Sequence, residues 1–337
     1  MTRREFFERA SCAAAVFATA RGARAAGLSA EAPPGASAGV SAEAAAAVTA
    51  GAMFVSLNGA VTRGVSGADR ARLAARLGYG GVDWDLGPAK ADGLEPTKAL
   101  FASLKIHPTI VNLPMARPFP FGGENAAFAE ALKPLADDAA FTAAVGCRKM
   151  MLVLPASTTT PKAEMRKLAV DRLSAISEVL KTSNLRLGIE FLGPLYFRTG
   201  RAGGPPSEPF IWNMPEAVAL AKDTGTNMGV VLDVWHWHHS NSTIKDITDA
   251  GAERIVHVHV SDAKASAPED VRDNQRFMPG EGIIDLTAFF QALQKASYAD
   301  GVSPEPLGRV PQEMSAEDGA RLALDTTLAV MKKAGVA

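Results

Sequence analysis

From Met53 onward, short apolar runs alternate with longer amphipathic stretches. The runs are MFVSLN (53–58), GVDWDL (81–86), IHPTIV (106–111), KMMLVL (149–154), RLGIEF (186–191), MGVVLDV (228–234) and RIVHVHV (254–260), with a last one around Asp300 to Glu305. Between them, apolar residues recur at helical spacing. The spacing predicts helices over Ala68 to Leu77, Thr97 to Leu104, Asn125 to Val145, Lys162 to Lys181, Pro215 to Asp223, Ile244 to Ala250, Leu286 to Lys295 and Ala316 to Lys333. Several strand runs are almost continuously apolar, as in parallel strands covered on both faces. Eight strand-then-helix units predict an α/β fold, a (β/α)8 TIM barrel. A doubly wound open sheet is the competitor, but no GxGxxG follows the first strand and no GxxxxGK[ST] occurs. Pro304 and Pro306 flank Glu305 and suit a strand end, so the eighth strand should stop there.

Composition narrows the function classes. At 337 residues and 47% hydrophobic content the chain can bury one large core or two modest ones. Its formal net charge of -1 offers no basic footprint for nucleic acid. No apolar run reaches the roughly 18 residues of a membrane span, so no stable membrane association is expected.

The N-terminus reads as an address. Arg3 and Arg4 precede a mildly apolar, Ala-rich stretch from Ala10 to Ala20, then the small-x-small pattern Ala23-Arg24-Ala25. The pattern resembles a twin-arginine export signal, here residues 1–26, which implies a periplasmic or secreted protein and a transient encounter with export machinery. Residues 27–50, rich in Ala, Ser, Gly and Pro, read as linker, leaving 51–337 as the barrel domain. Without the signal, Cys147 is the one thiol left of two, so no disulfide framework is expected. Homo-oligomer formation is left open.

Barrel enzymes work at the C-terminal ends of their strands. Those ends supply Glu190, Asp233, His259 and Glu305. Acids converging in a low-dielectric mouth repel strongly unless a cation joins them. Three carboxylates and one imidazole suit one divalent metal ion, Mn2+ most naturally, with Mg2+ or Co2+ as alternatives. Each residue has a structural reading as well. Asp233 could cap the following helix, and His257, two residues before His259 and on the same side of its strand, could equally be a core histidine. In the stretch GVVLDVWHWHH (229–239), Trp235 and Trp237 on the loop after the sixth strand are candidates for the substrate wall. GEG (280–282) reads as a turn. Arg198, Lys264 and Arg276 are candidate substrate clamps, Arg276 foremost as a substrate-binding residue, with an ordinary solvated surface charge as the structural reading of each.

The segments IEFLGP, LDVWHW, VHVHVSD and MPGEGIIDL resemble those of the xylose-isomerase-like sugar isomerase/epimerase superfamily, with sugar phosphate isomerases/epimerases and ketose 3-epimerases the most similar groups. The likeness runs from about residue 51 to the end. It implies metal ligation by Glu190, Asp233, His259 (with Asp262 three residues on) and Glu305, a substrate-binding role for His236, and catalysis by Glu190 and Glu305. One would remove a proton α to a carbonyl and the other would return one, through an enediolate, on a small-molecule sugar. Two family positions differ. An arginine six residues after the metal-binding histidine is replaced by Ala265, for which Arg276 is the candidate substitute, and an acid six residues after Glu190 is replaced by Tyr196. The same half-reaction serves a keto-sugar or 3-keto-glycoside lyase or hydratase. A superfamily abasic-site endonuclease and a non-catalytic periplasmic sugar-binding barrel are further alternatives.

Overall fold

A closed ring of parallel strands carries the candidate site. In a computed structural model describing residues 52–62, 64–199, 205–310 and 313–337, the strands are β1 (Phe54–Leu57), β2 (Gly81–Val82), β3, β4 (Lys149–Val153), β5 (Arg186–Glu190), β6 (Met228–Asp233), β7 (Ile255–Val260) and β8 (Gly301–Pro304). The expected signal and linker, residues 1–50, lie outside the described residues. β3 comes in two pieces, His107–Pro108 paired with β2 and Val111–Asn112 paired with β4. These pieces are the two ends of the sheet order, so the sheet closes on itself. The break has a simple cause: Pro108 has no N–H to offer, while its neighbours His107 and Thr109 donate to Gly80 O and Val82 O, both at 2.9 Å.

The helices are α1 (Gly67–Leu77), α2 (Leu86–Asp92), α3 (Leu94–Leu104), α4 (Asn125–Leu132), α5 (Leu135–Val145), α6 (Lys162–Lys181), α7 (Leu195–Arg198), α8 (Met214–Thr224), α9 (Val234–His239), α10 (Ile244–Arg254), α11 (Leu286–Lys295) and α12 (Ala316–Ala334). The single helix expected over 125–145 is two, because Pro134 removes a donor and crowds the preceding turn. The loop expected after β6 is the short helix α9. A two-stranded antiparallel ribbon, Ser157–Thr158 with Glu208–Pro209, lies outside the ring. Among the described residues, no helix is long and apolar enough to cross a membrane.

Alternation decides what faces where. Val230 and Leu232 of β6, Val258 and Val260 of β7, and Val302 of β8 are fully buried in the apolar cluster shared with the helices. Their neighbours point to the other side of the sheet. On β7 and β8 those neighbours are His257, His259 and Ser303, all buried. The barrel interior is therefore polar beneath its mouth.

Candidate active site

Register brings the four strand-end residues together. His259 stands opposite Asp233 of β6 and Ser303 of β8, while Glu190 pairs with Val231. Glu305 lies one residue beyond β8, and its N–H donates to Val260 O at 2.9 Å. One ligand atom from each of Glu190, Asp233, His259 and Glu305 can be chosen so that all lie within 4.8 Å of one another. His259 Nδ1 is 3.0 Å from Glu190 Oε1 and 3.5 Å from Glu305 Oε2. The structure thus assembles the whole expected ligand set, and His259 is indeed the upper of the two β7 histidines.

The charge that meets Asp233 is Arg276. Its Nη1 donates to Asp233 Oδ2 at 2.7 Å and to Glu305 Oε2 at 3.1 Å. Its Nε and Nη2 donate to Asp273 Oδ1 at 2.9 and 2.6 Å, and the guanidinium carbon lies 4.8 Å from the centroid of the Trp235 ring. At 2% exposure Arg276 is not a solvated charge; it stands at the cluster, as its candidate place among the site residues requires. Asp233 does both things considered for it. Its Oδ1 caps α9 by accepting from Trp235 N at 2.8 Å and, more weakly, from His236 N at 3.4 Å, while Oδ2 faces the cluster.

Electrostatics follow from this packing. Burial alone would raise the Asp233 pKa, but Arg276, His236 and His259 hold it down at about 2. For His259 burial opposes protonation, yet Glu305 and Glu190 lift it to about 10. Burial, with Glu190 and Asp233 adding to it, pushes Glu305 up to about 8 against the pull of His259 and Arg276. His236 is lowered, first by burial, and stays neutral. Arg276 Nη2 lies 3.2 Å from His236 Nε2, and a guanidinium only donates. Hence Nε2 accepts and the His236 proton sits on Nδ1, a buried atom with no partner. It is a donor waiting for an oxygen.

Two loops fix these side chains. The Asp262 carboxylate accepts from the N–H groups of Gly280, Gly282 and Ile284 at 3.1, 2.9 and 2.9 Å, which pins the GEG turn. A Cβ on Gly282 would stand 2.3 Å from Ala263 O, so glycine is required there. The backbone bridge between Asp262 and Phe277 then delivers Arg276 to the mouth. On the other side, Gly193 lets the chain after β5 touch α9, since a Cβ there would lie 2.0 Å from His236 O. Arg198 locks the same contact, with Nε donating to Gly193 O at 2.7 Å and Nη2 to His239 O at 2.6 Å. Its guanidinium lies 3.5 Å from the Trp212 ring centroid, so Arg198 is a half-buried clamp rather than a solvated charge. Lys264 is exposed at the mouth, as read from sequence.

The two tryptophans diverge. Trp235 stands beside Arg276 and forms edge contacts with His236 and His239. Trp237 packs on Phe289 of α11 and donates to Thr243 O at 3.2 Å, a core placement that gives no support to a substrate-wall role. Two acids outside the expected set also stand here: Asp83, at the end of β2, and Asp273. Asp83 obeys the same strand-end rule as the others and was legible; Asp273 lies in a loop that no periodicity marks. In place of the missing acid, Tyr196 accepts from Asp273 N at 3.1 Å through its hydroxyl and so braces the turn that carries Arg276.

The four clustered side chains suit a divalent metal. Ligands held roughly 2.0–2.6 Å from one ion lie up to about 5 Å apart, and three oxygens with one imidazole nitrogen are a common donor set for such ions. Arg276 shares Asp233 and Glu305 with that set.

Comparison with known proteins agrees with this architecture. An inosose isomerase from Halalkalibacterium halodurans is 29% identical over 173 residues, 51% of this chain and 57% of that protein; the chain therefore spans little more than half the length of this relative. Among solved structures, a xylose isomerase domain protein from Alicyclobacillus acidocaldarius is similar at a TM-score of 0.75 and 26% identity, over 84% of this chain and all of that one. The IolI protein, solved with a bound zinc atom, shares the fold at a TM-score of 0.70 and 23% identity, over 83% of this chain and 99% of that one. With residues 71–327 matching the family described as xylose isomerase-like TIM barrel, the chain belongs to that family.

Proposed function

We propose that the protein is a divalent-metal-dependent isomerase or epimerase of keto-sugars or cyclic keto-polyols, working by proton transfer at the carbon next to a carbonyl. The observation that carries this reading is the convergence of Glu190, Asp233, His259 and Glu305 within 4.8 Å, beside the buried donors Arg276 and His236. The similarity to an inosose isomerase supports a polyhydroxylated ketone as substrate class. The zinc in the IolI neighbour supports a divalent ion on the same fold. From the three-oxygen, one-nitrogen donor set we propose Mn2+, with Mg2+ and Co2+ next. A cation held by these four residues would offset the negative charge that grows on the substrate oxygens as the enediolate forms.

The chain's own groups do the remaining work. Glu190 ends β5 and Glu305 follows β8, with two strands between, so they approach a substrate over His259 from different directions. One takes the α-proton as general base and the other returns a proton. Return to the opposite face of the same carbon inverts it; return to the neighbouring carbon moves the carbonyl. The free Nδ1–H of His236 and the Arg276 guanidinium are placed to hold substrate oxygens, with Trp235 as an apolar wall. On the sequence pattern of residues 1–26 we also propose export through the twin-arginine route.

The test is turnover of an inosose and a panel of ketoses by metal-loaded protein, with products identified by NMR. Interconversion that stops with chelator and in Glu305→Gln is expected. Loaded protein that converts none of them would overturn the reading.

A further inference from the structure

The chain leaving β5 brings two aromatic rings to the mouth that the proton transfer does not use. α7 carries Leu195, Tyr196 and Phe197 in succession, and all three keep part of their apolar surface in solvent, Leu195 at 38%. The phenylalanines that flank this segment in sequence, Phe191 and Phe210, are fully buried. Contiguous apolar surface at the rim of a polar site is what the apolar face of a ligand covers.

The pair is held in place from several sides. The Tyr196 and Phe197 rings stack with centroids 4.1 Å apart and planes 30° apart. The Tyr196 hydroxyl is taken up by Asp273 N at 3.1 Å, and the Arg272 guanidinium carbon lies 5.4 Å from the Tyr196 ring centroid. Both ends of α7 are fastened, by Gly193 against α9 and by Arg198 on Gly193 O and His239 O. Phe197 meets the His236 ring at 6.1 Å, with planes 67° apart. His236 Nε2 lies 3.2 Å from Arg276 Nη2, which also donates to Asp273 at 2.6 Å. The contacts therefore close a circuit through Phe197, Tyr196, Asp273, Arg276 and His236, and the two donors proposed for substrate oxygens belong to it.

A ring and a chain meet such a surface differently. Hydroxyls on a six-membered ring project mostly outward, and the C–H groups of each face form a flat apolar patch that fits an aromatic side chain. An open-chain ketose carries oxygen on every carbon and rotates about each bond, so it offers no fixed apolar face and loses more entropy on binding. α7 has no carboxylate or amide side chain to accept its hydroxyls. Resting on the isomerase or epimerase reading above, we infer that Phe197, backed by Tyr196, sets specificity. It receives the C–H face of a cyclic polyhydroxylated ketone, one whose carbonyl belongs to the ring, in preference to an open-chain ketose.

The experiment titrates full-length protein, supplied with Mg2+, with myo-inositol and with sorbitol, followed by tryptophan fluorescence. Both probes have six carbons and six hydroxyls, differ in ring closure and lack a carbonyl, so binding is read without turnover. Wild type should bind the ring about 10-fold more tightly than the chain. Phe197→Ala should weaken inositol binding by about that factor and leave sorbitol unchanged, while Phe197→Trp keeps the preference. Phe197→Leu retains apolar bulk without the flat face and should also lose most of the preference, which covers an alanine variant that fails to fold. Equal affinity for the two probes in wild type, binding of neither, or a preference that survives in Phe197→Leu overturns the inference. Turnover separates it from the reading it rests on. Wild type that converts an open-chain ketose as efficiently as an inosose leaves the isomerase reading standing and removes this role of Phe197. A ring preference that depends on Phe197, in protein that converts neither, keeps the platform and ends that reading.

Discussion

Replacing Arg276 with methionine tests how the cluster is balanced, because it removes the charge and keeps much of the length. Arg276 touches Asp233, Asp273 and Glu305 while almost fully buried. Asp233 alone gives a lower bound. Its pKa falls from 3.8 to about 2, a contribution of roughly 2 kcal/mol by linkage. Because the folded value is depressed, that stability is fully present above pH 3.8 and is lost as pH falls through about 2. Stranding further buried carboxylates raises the expected loss at pH 7 to about 3–5 kcal/mol. Urea unfolding followed by tryptophan fluorescence and circular dichroism measures it. The deficit should shrink in acid, where protonated carboxylates no longer need the guanidinium. Mn2+ at a hundredfold excess over its Kd should restore about 2.7 kcal/mol. A deficit below about 1 kcal/mol at pH 7 in metal-free protein, well short of a broken buried pair, would refute this account of Arg276.

Further expectations concern the frame around the cluster. His239 is held down at about 3, mainly by burial, and is neutral in the fold. Its protonation in the unfolded chain, below its ordinary pKa of 6.5, favours unfolding, so stability should rise with pH from about 3 to 6.5 and then level off. His239→Gln should flatten that slope in urea titrations across pH; an unchanged slope would exclude His239 as its source. Asp262→Ala leaves three loop amides without their acceptor and should cost about 2–4 kcal/mol. Hydrogen exchange should show the loosening confined to residues around 276–284, and a variant as stable as wild type would remove Asp262 from its role.

Much of this was legible because barrels write themselves twice, in strand rhythm and in what ends each strand. Near-continuous apolar runs located the strands, and Glu190, Asp233, His259 and Glu305 followed from position alone. Long-range pairing was not legible. Arg276 sits 43 residues from Asp233 and reaches it because Asp262 and Phe277 bridge. A lone arginine in a loop carries no mark of that. The two tryptophans of WHW differ because the intervening loop is a helix, which turns Trp237 onto α11. Pro134, by contrast, was a visible helix breaker inside the stretch expected to be one helix.

Proton exchange next to a carbonyl, assisted by a divalent ion, is the chemistry proposed for these residues. The most direct measurement is α-proton exchange in D2O, followed by NMR, over keto-sugars, 3-keto-glycosides and an inosose, with Mn2+ or with EDTA. Deuterium incorporation should need the metal and fall at least about 100-fold in Glu190→Gln or Glu305→Gln. The product should be an isomer or epimer, not an eliminated fragment. Exchange that persists unchanged in EDTA and in both variants, or no exchange with any of these substrates in protein carrying one metal ion per chain, would contradict it.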